Sequence, residues 1–213
     1  MVGRSNVGKS SLINALARQP IARTSAAPGK TRLLNVYRVA RGASDSFYLV
    51  DLPGYGYARG GREAAAAFDA LIRAYFDRAA AVSALLLVDA RHPGLQSDIE
   101  AWHWLEQSVE RCAIVATKID KLARGERIRA QRELESVLEH SVLPVSAVTG
   151  EGLDELWKLI DRLRYRNSSP PPGPSRKPAA TDTPPPGSPP RGVSAVGWTP
   201  LHPKSWSSRR SKT

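Results

Sequence analysis

The sequence is almost without sulfur: 213 residues include one cysteine, Cys112, and one methionine, Met1. A single cysteine cannot close an internal disulfide, so packing must hold the fold, and this usage suits a reducing, cytoplasmic setting. Cys112 lies in the apolar run 112–116, which reads as a buried structural thiol rather than a nucleophile. Long apolar runs are missing too. The longest, around 79–88, is far short of the roughly 20 residues a membrane span needs. The N-terminus lacks the hydrophobic stretch of a secretory signal. Aromatics are only 7% of the chain, and His92, His103 and His140 show no metal-ligand spacing, so each reads as structural. Acidic residues are in deficit, 20 against 31 Lys and Arg, leaving a net charge of +11. Such a surplus favours a polyanionic partner without identifying it.

What is present divides the chain in two. After Arg166 the composition changes: residues 167–213 hold 12 of the 17 prolines, seven Lys or Arg and one acid. That segment cannot bury enough apolar surface to offset its chain entropy, so 167–213 is expected to be a proline-rich, basic, disordered tail. Residues 1–166 alternate helix and strand patterns. Helices are read at 9–18, 63–80, 97–108 (Ser97 as N-cap, Glu100 closing a capping box), 126–140 and 153–164. Strands are read at 33–40, 47–52, 81–89, 113–117 and 142–145. This alternation predicts an α/β domain with a mostly parallel sheet and helices on both faces. In such a sheet, ligands bind at the carboxyl ends of strands.

The motifs fall at those ends. Gly3-Arg4-Ser5-Asn6-Val7-Gly8-Lys9-Ser10 matches G-x-x-x-x-G-K-[ST], the phosphate-binding loop. Gly3 and Gly8 allow backbone angles that a Cβ would penalise, so N–H groups turn inward around a polyphosphate. Lys9 reaches the β- and γ-phosphates, and the Ser10 hydroxyl is a hard oxygen ligand for Mg²⁺. Asp51-Leu52-Pro53-Gly54 closes a strand, where Asp51 supports Mg²⁺ and Gly54 offers its N–H to a γ-phosphate. Thr117-Lys118-Ile119-Asp120 follows another strand. A carboxylate at Asp120 accepts from guanine N1–H and N2–H₂, and adenine would leave it unpaired. Val145-Ser146-Ala147 ends the last strand and offers backbone N–H groups to guanine O6, a weak signal taken alone. Between helix and strand lies 24–31. Its Thr31 is read as an Mg²⁺ ligand that engages only with a γ-phosphate, and Gly29, Lys30, Arg32 and Leu33 as nucleotide-facing neighbours.

These pieces resemble the translation-factor-related P-loop GTPases, and more narrowly the EngB/YihA-type ribosome-assembly GTPases. The narrow resemblance rests on Gly-Arg-Ser-Asn-Val-Gly-Lys-Ser-Ser at 3–11, Pro-Gly-Lys-Thr at 28–31 and Asp-Leu-Pro-Gly-Tyr-Gly-Tyr-Ala at 51–58. It continues through Arg91-His92-Pro93 and Lys121-Leu122-Ala123-Arg124-Gly125-Glu126, covering most of 3–164 and none of the tail. The resemblance implies the P-loop GTPase fold, GTP and GDP binding, slow hydrolysis and Mg²⁺. It also implies a monomer that helps mature the large ribosomal subunit or its precursor, with a link to cell division and septation. Asn6 resembles the asparagine with which relatives hold a monovalent cation, so K⁺ is a second candidate cofactor. Tyr55 stands where many GTPases carry a water-orienting glutamine.

Two rival functions remain on sequence alone: a GTPase of a tRNA-modification complex, and a hydrolysis-deficient module acting through its basic tail. Arg124, Glu126, Arg127, Arg129 and Arg132 belong either to a solvated helix face or to a ribosomal-RNA contact. Trp102 and Trp104, two apart on a helix, cannot both face the core. Only Met1 and Val2 precede Gly3, whereas a strand leading into the phosphate loop usually has about five or six residues. The first strand is therefore expected to be largely lost, its neighbours left without ladder partners. The chain as written is expected to be a fragment or to begin at a wrong start site.

Overall fold

The computed structural model describes residues 1–23, 34–41, 45–55, 82–164 and 196–201. The expected helix at 63–80 and the segment holding Gly29, Lys30, Thr31, Arg32 and Leu33 lie outside the described residues.

The strands are β1 (Val2–Gly3), β2 (Asn35–Arg41), β3 (Asp45–Asp51), β4 (Ser83–Asp89), β5 (Arg111–Thr117), β6 (Val142–Pro144) and β7 (Val196–Leu201). The helices are α1 (Lys9–Ala17), α2 (Gln96–Ser108), α3 (Arg124–Leu138) and α4 (Leu153–Arg164), with a short 3₁₀ turn at Ile119–Lys121. A parallel sheet runs β1-β4-β5-β6, and an antiparallel one runs β3-β2-β7. The first is the expected parallel sheet. The second follows from chain geometry: only 42–44 separate β2 from β3, and so short a link can make only a hairpin.

Strand β4 shows why the sheet is covered on both faces. Side chains alternate along a strand, and here both sets are apolar. Leu85 and Leu87 join Leu12, Ile13 and Leu16 of α1 and Leu156 and Ile160 of α4 in one core. Ala84, Leu86 and Val88 join Trp102 and Leu105 of α2 and Leu134 and Leu138 of α3 in the other. Trp102 is buried while Trp104 is only partly so, as their spacing requires. A cation–π contact, with the Arg164 guanidinium 4.0 Å from the Phe47 ring centre, fastens the end of α4 to β3.

Three expectations meet the structure as follows. The central slot is not empty: β1, though two residues long, pairs in parallel with β4, Val2 opposite Leu86 and Gly3 opposite Leu87. On its other side the Met1 ammonium donates to the Val50 carbonyl, and the Leu52 N–H donates to the Met1 carbonyl at 3.1 Å. Leu86 and Leu87 of β4 thus find partners, while β1 remains as short as expected, and Met1 to Gly3 join the two sheets. Second, Ser97 does not cap α2, which starts one residue earlier behind Leu95 without a side-chain cap. The cap of that type sits on α3, where the Glu126 carboxylate accepts the Ala123 N–H at 2.8 Å. Third, six residues of the segment read as a disordered tail form β7, antiparallel to β2 with Val36 opposite Leu201 and Arg41 opposite Val196. Backbone bonding to an open edge explains a strand that side-chain periodicity does not show.

Candidate nucleotide site

The phosphate loop links β1 to α1. Gly8 caps the helix with φ 108° and Asn6 has φ 63°, so left-handed residues alternate through the loop and turn successive N–H groups to one side. Gly3 is needed for a different reason from the expected one. Its φ is not in the left-handed region, but a Cβ there would lie 2.7 Å from the Leu87 carbonyl oxygen. Glycine lets β1 end flush against β4.

Lys9 Nζ donates to the carbonyls of Gly3 at 2.9 Å and Arg4 at 3.3 Å, so it spans the mouth of the loop. Burial lowers its pKa, while Asp51 pulls it upward. Asp51 is 2% exposed, and its Oδ1 is buried without a hydrogen-bond partner. Burial raises the Asp51 carboxyl, against the opposing pull of Lys9 and the Met1 ammonium. The same burial lowers that ammonium to about 6, with Asp51 countering and Lys9 adding to the fall. A buried carboxylate oxygen with no donor is costly unless a cation or an ordered water completes it. Beside a phosphate loop, this donor set fits a hard divalent cation.

Gly54 packs directly on the loop. A Cβ there would fall 2.6 Å from the Ser5 nitrogen and 2.8 Å from its Cα. The Ser5 N–H donates to the Tyr55 carbonyl at 3.1 Å, and Arg4 and Tyr55 form an isolated parallel bridge. Leu52 and Pro53 are buried beneath the turn.

The second half of the site stands at the end of β5. The Thr117 hydroxyl is 2.6 Å from the Val7 carbonyl and 3.1 Å from that of Val88, tying this strand to the phosphate loop. Lys118 adopts φ 62° and aims its ammonium at the Asn6 carbonyl and, at 2.9 Å, at Asp89 Oδ2. Ile119 is buried in the core below. The Asp120 carboxylate accepts the Ser146 hydroxyl at 2.7 Å. Ser146 in turn accepts the N–H groups of Val148 and Thr149 at 3.2 and 3.1 Å. Burial would raise the Asp120 pKa, but the Ser146 bond and Lys121 outweigh it and hold it below the usual range. The Val145 N–H bonds the Ala116 carbonyl at 2.7 Å, bringing Val145, Ser146 and Ala147 beside Thr117 to Asp120.

Sequence reasoning missed two acids. Asp89 ends β4 and holds Arg91, whose Nε donates at 2.9 Å and Nη2 at 2.8 Å, as well as Lys118. Burial would raise its pKa, but the bonds from Arg91 and Lys118 prevail and set it at about 2. An acid closing a fully apolar strand was the available signal. Asp98, 3% exposed, accepts the Tyr55 hydroxyl at 2.8 Å. It lies on the buried stripe of α2 with Trp102 and Leu105, a helical spacing visible in the sequence. Among the described residues no group of His, Cys, Asp and Glu forms a metal cluster.

Comparison with known proteins agrees with this geometry. A family model described as 50S ribosome-binding GTPase matches residues 1–144. The probable GTP-binding protein EngB of Chlorobaculum tepidum is 43% identical over 164 residues, covering 75% of this chain and 83% of the relative. Its counterpart in Thermotoga maritima is 42% identical over 171 residues, covering 78% and 86%. Among solved structures, Aquifex aeolicus Era bound to GDP and aluminium fluoride superposes with a TM-score of 0.64 at 25% identity. That match covers 86% of this chain and 60% of the Era chain. A probable GTP-binding protein EngB superposes at 0.58 and 23% identity, covering 76% of this chain and 95% of that one, and shows the shared fold. The chain belongs to the 50S ribosome-binding GTPases and, among them, to the EngB GTP-binding proteins.

Proposed function

We propose that this GTPase acts as an assembly factor for the large ribosomal subunit, in the cytoplasm and with a link to cell division and septation. The observation that carries the nucleotide part is the joining of two motifs: Thr117 and Lys118 both bond phosphate-loop carbonyls, so base and phosphate contacts share one rigid frame. In this reading the residues from Gly3 to Ser10 cradle the phosphates and Lys9 neutralises charge developing on the γ-phosphoryl group. Gly54 and Thr31 meet the γ-phosphate, Asp120 reads the guanine edge, and Ser146 and Ala147 lie over O6. Ser10 and Thr31 would hold Mg²⁺, with Asp51 supporting it, and the ion would neutralise phosphate charge when bound. Asn6, exposed at the rim of the loop, would hold K⁺.

Support for the ribosomal partner comes from the family description, from the +11 net charge and from the exposed Arg124, Arg129 and Arg132 of α3. Era, a structural neighbour at 25% identity and a TM-score of 0.63, has been solved in complex with MgGDPNP and part of 16S ribosomal RNA, a small-subunit RNA, so it supports ribosomal RNA as a class of partner and not the choice of subunit. The test is sedimentation with ribosomal subunits in GDP and in a non-hydrolysable GTP analogue. Cosedimentation with large-subunit particles in the analogue alone is expected. Binding to neither subunit in either nucleotide would overturn the reading.

A further inference from the structure

We infer that Tyr55 and Asp98 form a latch that holds Gly54 in place for the γ-phosphate, making both of them positioning residues for triphosphate recognition. The inference rests on the proposed role of Gly54. Tyr55 follows Gly54 and is the residue through which that turn is fastened at both ends. Its carbonyl accepts the Ser5 N–H of the phosphate loop, and its hydroxyl donates to the buried Asp98 carboxylate at 2.8 Å. Asp98 is itself fixed. It sits in the first turn of α2, where a negative charge is favoured by the helix dipole, and its N–H bonds the Leu95 carbonyl at 2.9 Å. Arg4 of the phosphate loop lies 3.9 Å away, so the same carboxylate faces both the turn and the phosphate loop. Tyr55, Asp98, Arg4 and Ser5 thus close a ring around Gly54, which has no room even for a methyl group.

The ring explains a tyrosine at the position following Asp-x-x-Gly. With its hydroxyl engaged by α2, the side chain serves to anchor the turn. A diphosphate does not reach Gly54, whereas a triphosphate needs its N–H at a fixed place. Loss of the latch therefore lowers affinity for the triphosphate while leaving the diphosphate unaffected, because only differential contacts shift the preference.

The test measures the affinity of the full chain for GDP and for a non-hydrolysable GTP analogue in Tyr55→Phe, Asp98→Ala and the double variant. Each single variant is expected to lose roughly tenfold in analogue affinity relative to GDP, the scale of one charge-assisted hydrogen bond. The double variant should lose no more than either single one. Asp98→Asn, which keeps an acceptor, should recover part of the loss. Unchanged GDP affinity reports intact folding. Gly54→Ala separates the two ideas. If it weakens the analogue selectively while Tyr55→Phe and Asp98→Ala do not, the latch falls and the role of Gly54 stands. If Gly54→Ala leaves the affinities for the analogue and for GDP both unchanged, the role of Gly54 falls and the latch with it. If it weakens both equally, the phosphate loop has been displaced, and an unchanged analogue-to-GDP ratio in Tyr55→Phe and Asp98→Ala is then what overturns the latch.

Discussion

In the proposed reading, the choice of base at Asp120 comes down to two hydrogen bonds from a guanine edge to one carboxylate. Xanthine carries a C2 carbonyl where guanine has an amino group, so Asp120→Asn should exchange the preference, the new amide donating to that carbonyl. The Ser146 hydroxyl can still donate to the asparagine oxygen, so the side chain should stay aimed. Competition between GTP and XTP should shift by ~100-fold or more toward XTP; a variant that still prefers GTP would remove Asp120 from the site. Asp89 supplies a pH prediction. Its folded pKa of about 2 lies below the ordinary carboxylate value of 3.8. Its contribution is therefore fully present above pH ~4 and is lost as pH falls from ~4 to ~2. Asp89→Asn should cost about 1 kcal/mol near neutrality once solvent screening is allowed for. In thermal unfolding, its deficit against the parent should close across that same acid window. Asp120 was legible because [NT]-K-x-D carries its meaning locally. Asp89 was not, because Lys118 reaches it only when β4 and β5 pair.

Elements were legible where periodicity was strong and blurred where capping decided the boundary. The 153–164 helix was read correctly because its apolar positions repeat at helical spacing. Leu156 and Ile160 fill the core shared with α1. Leu156, fully buried, should cost about 2–5 kcal/mol as Leu156→Ala, seen as a lower denaturant midpoint with unchanged slope. At α3 the sequence suggested a start at Glu126, yet the helix begins at Arg124 and Glu126 is the residue that caps it. Glu126→Ala should cost about 1 kcal/mol, and its effect should vanish in the same assay if Glu126 were merely a helix-surface acid. The β2–β3 hairpin was readable as two strands. Its antiparallel pairing follows from the short link, a cue that the reading of a mostly parallel sheet passed over.

At the scale of the whole molecule, the described residues contain no helix long and apolar enough to cross a membrane. Charge is the property that acts over distance. Residues 167–213 carry about half of the +11. Deleting them should leave GTP affinity nearly unchanged, since no nucleotide motif lies there. Binding of the shortened chain to ribosomal particles should lose part of its salt dependence, because each phosphate contact contributes to the slope. An unchanged slope on titrating salt would mean that this segment touches no phosphates. The same deletion removes β7 and leaves the β2 edge without its partner.

The sequence by itself determined the alternation of elements, the phosphate-loop motif, the Asp-x-x-Gly turn and the Thr-Lys-x-Asp motif. Each is written in contiguous residues whose chemistry is local. Tertiary structure decided what depends on distant segments meeting. Examples are the pairing of Met1 to Gly3 between two sheets, the bonds from Thr117 and Lys118 to the phosphate loop, and the Tyr55–Asp98 contact across 43 positions. A buried acid such as Asp98 is unfavourable until a donor reaches it, and that donor is identified only when β3 and α2 come together.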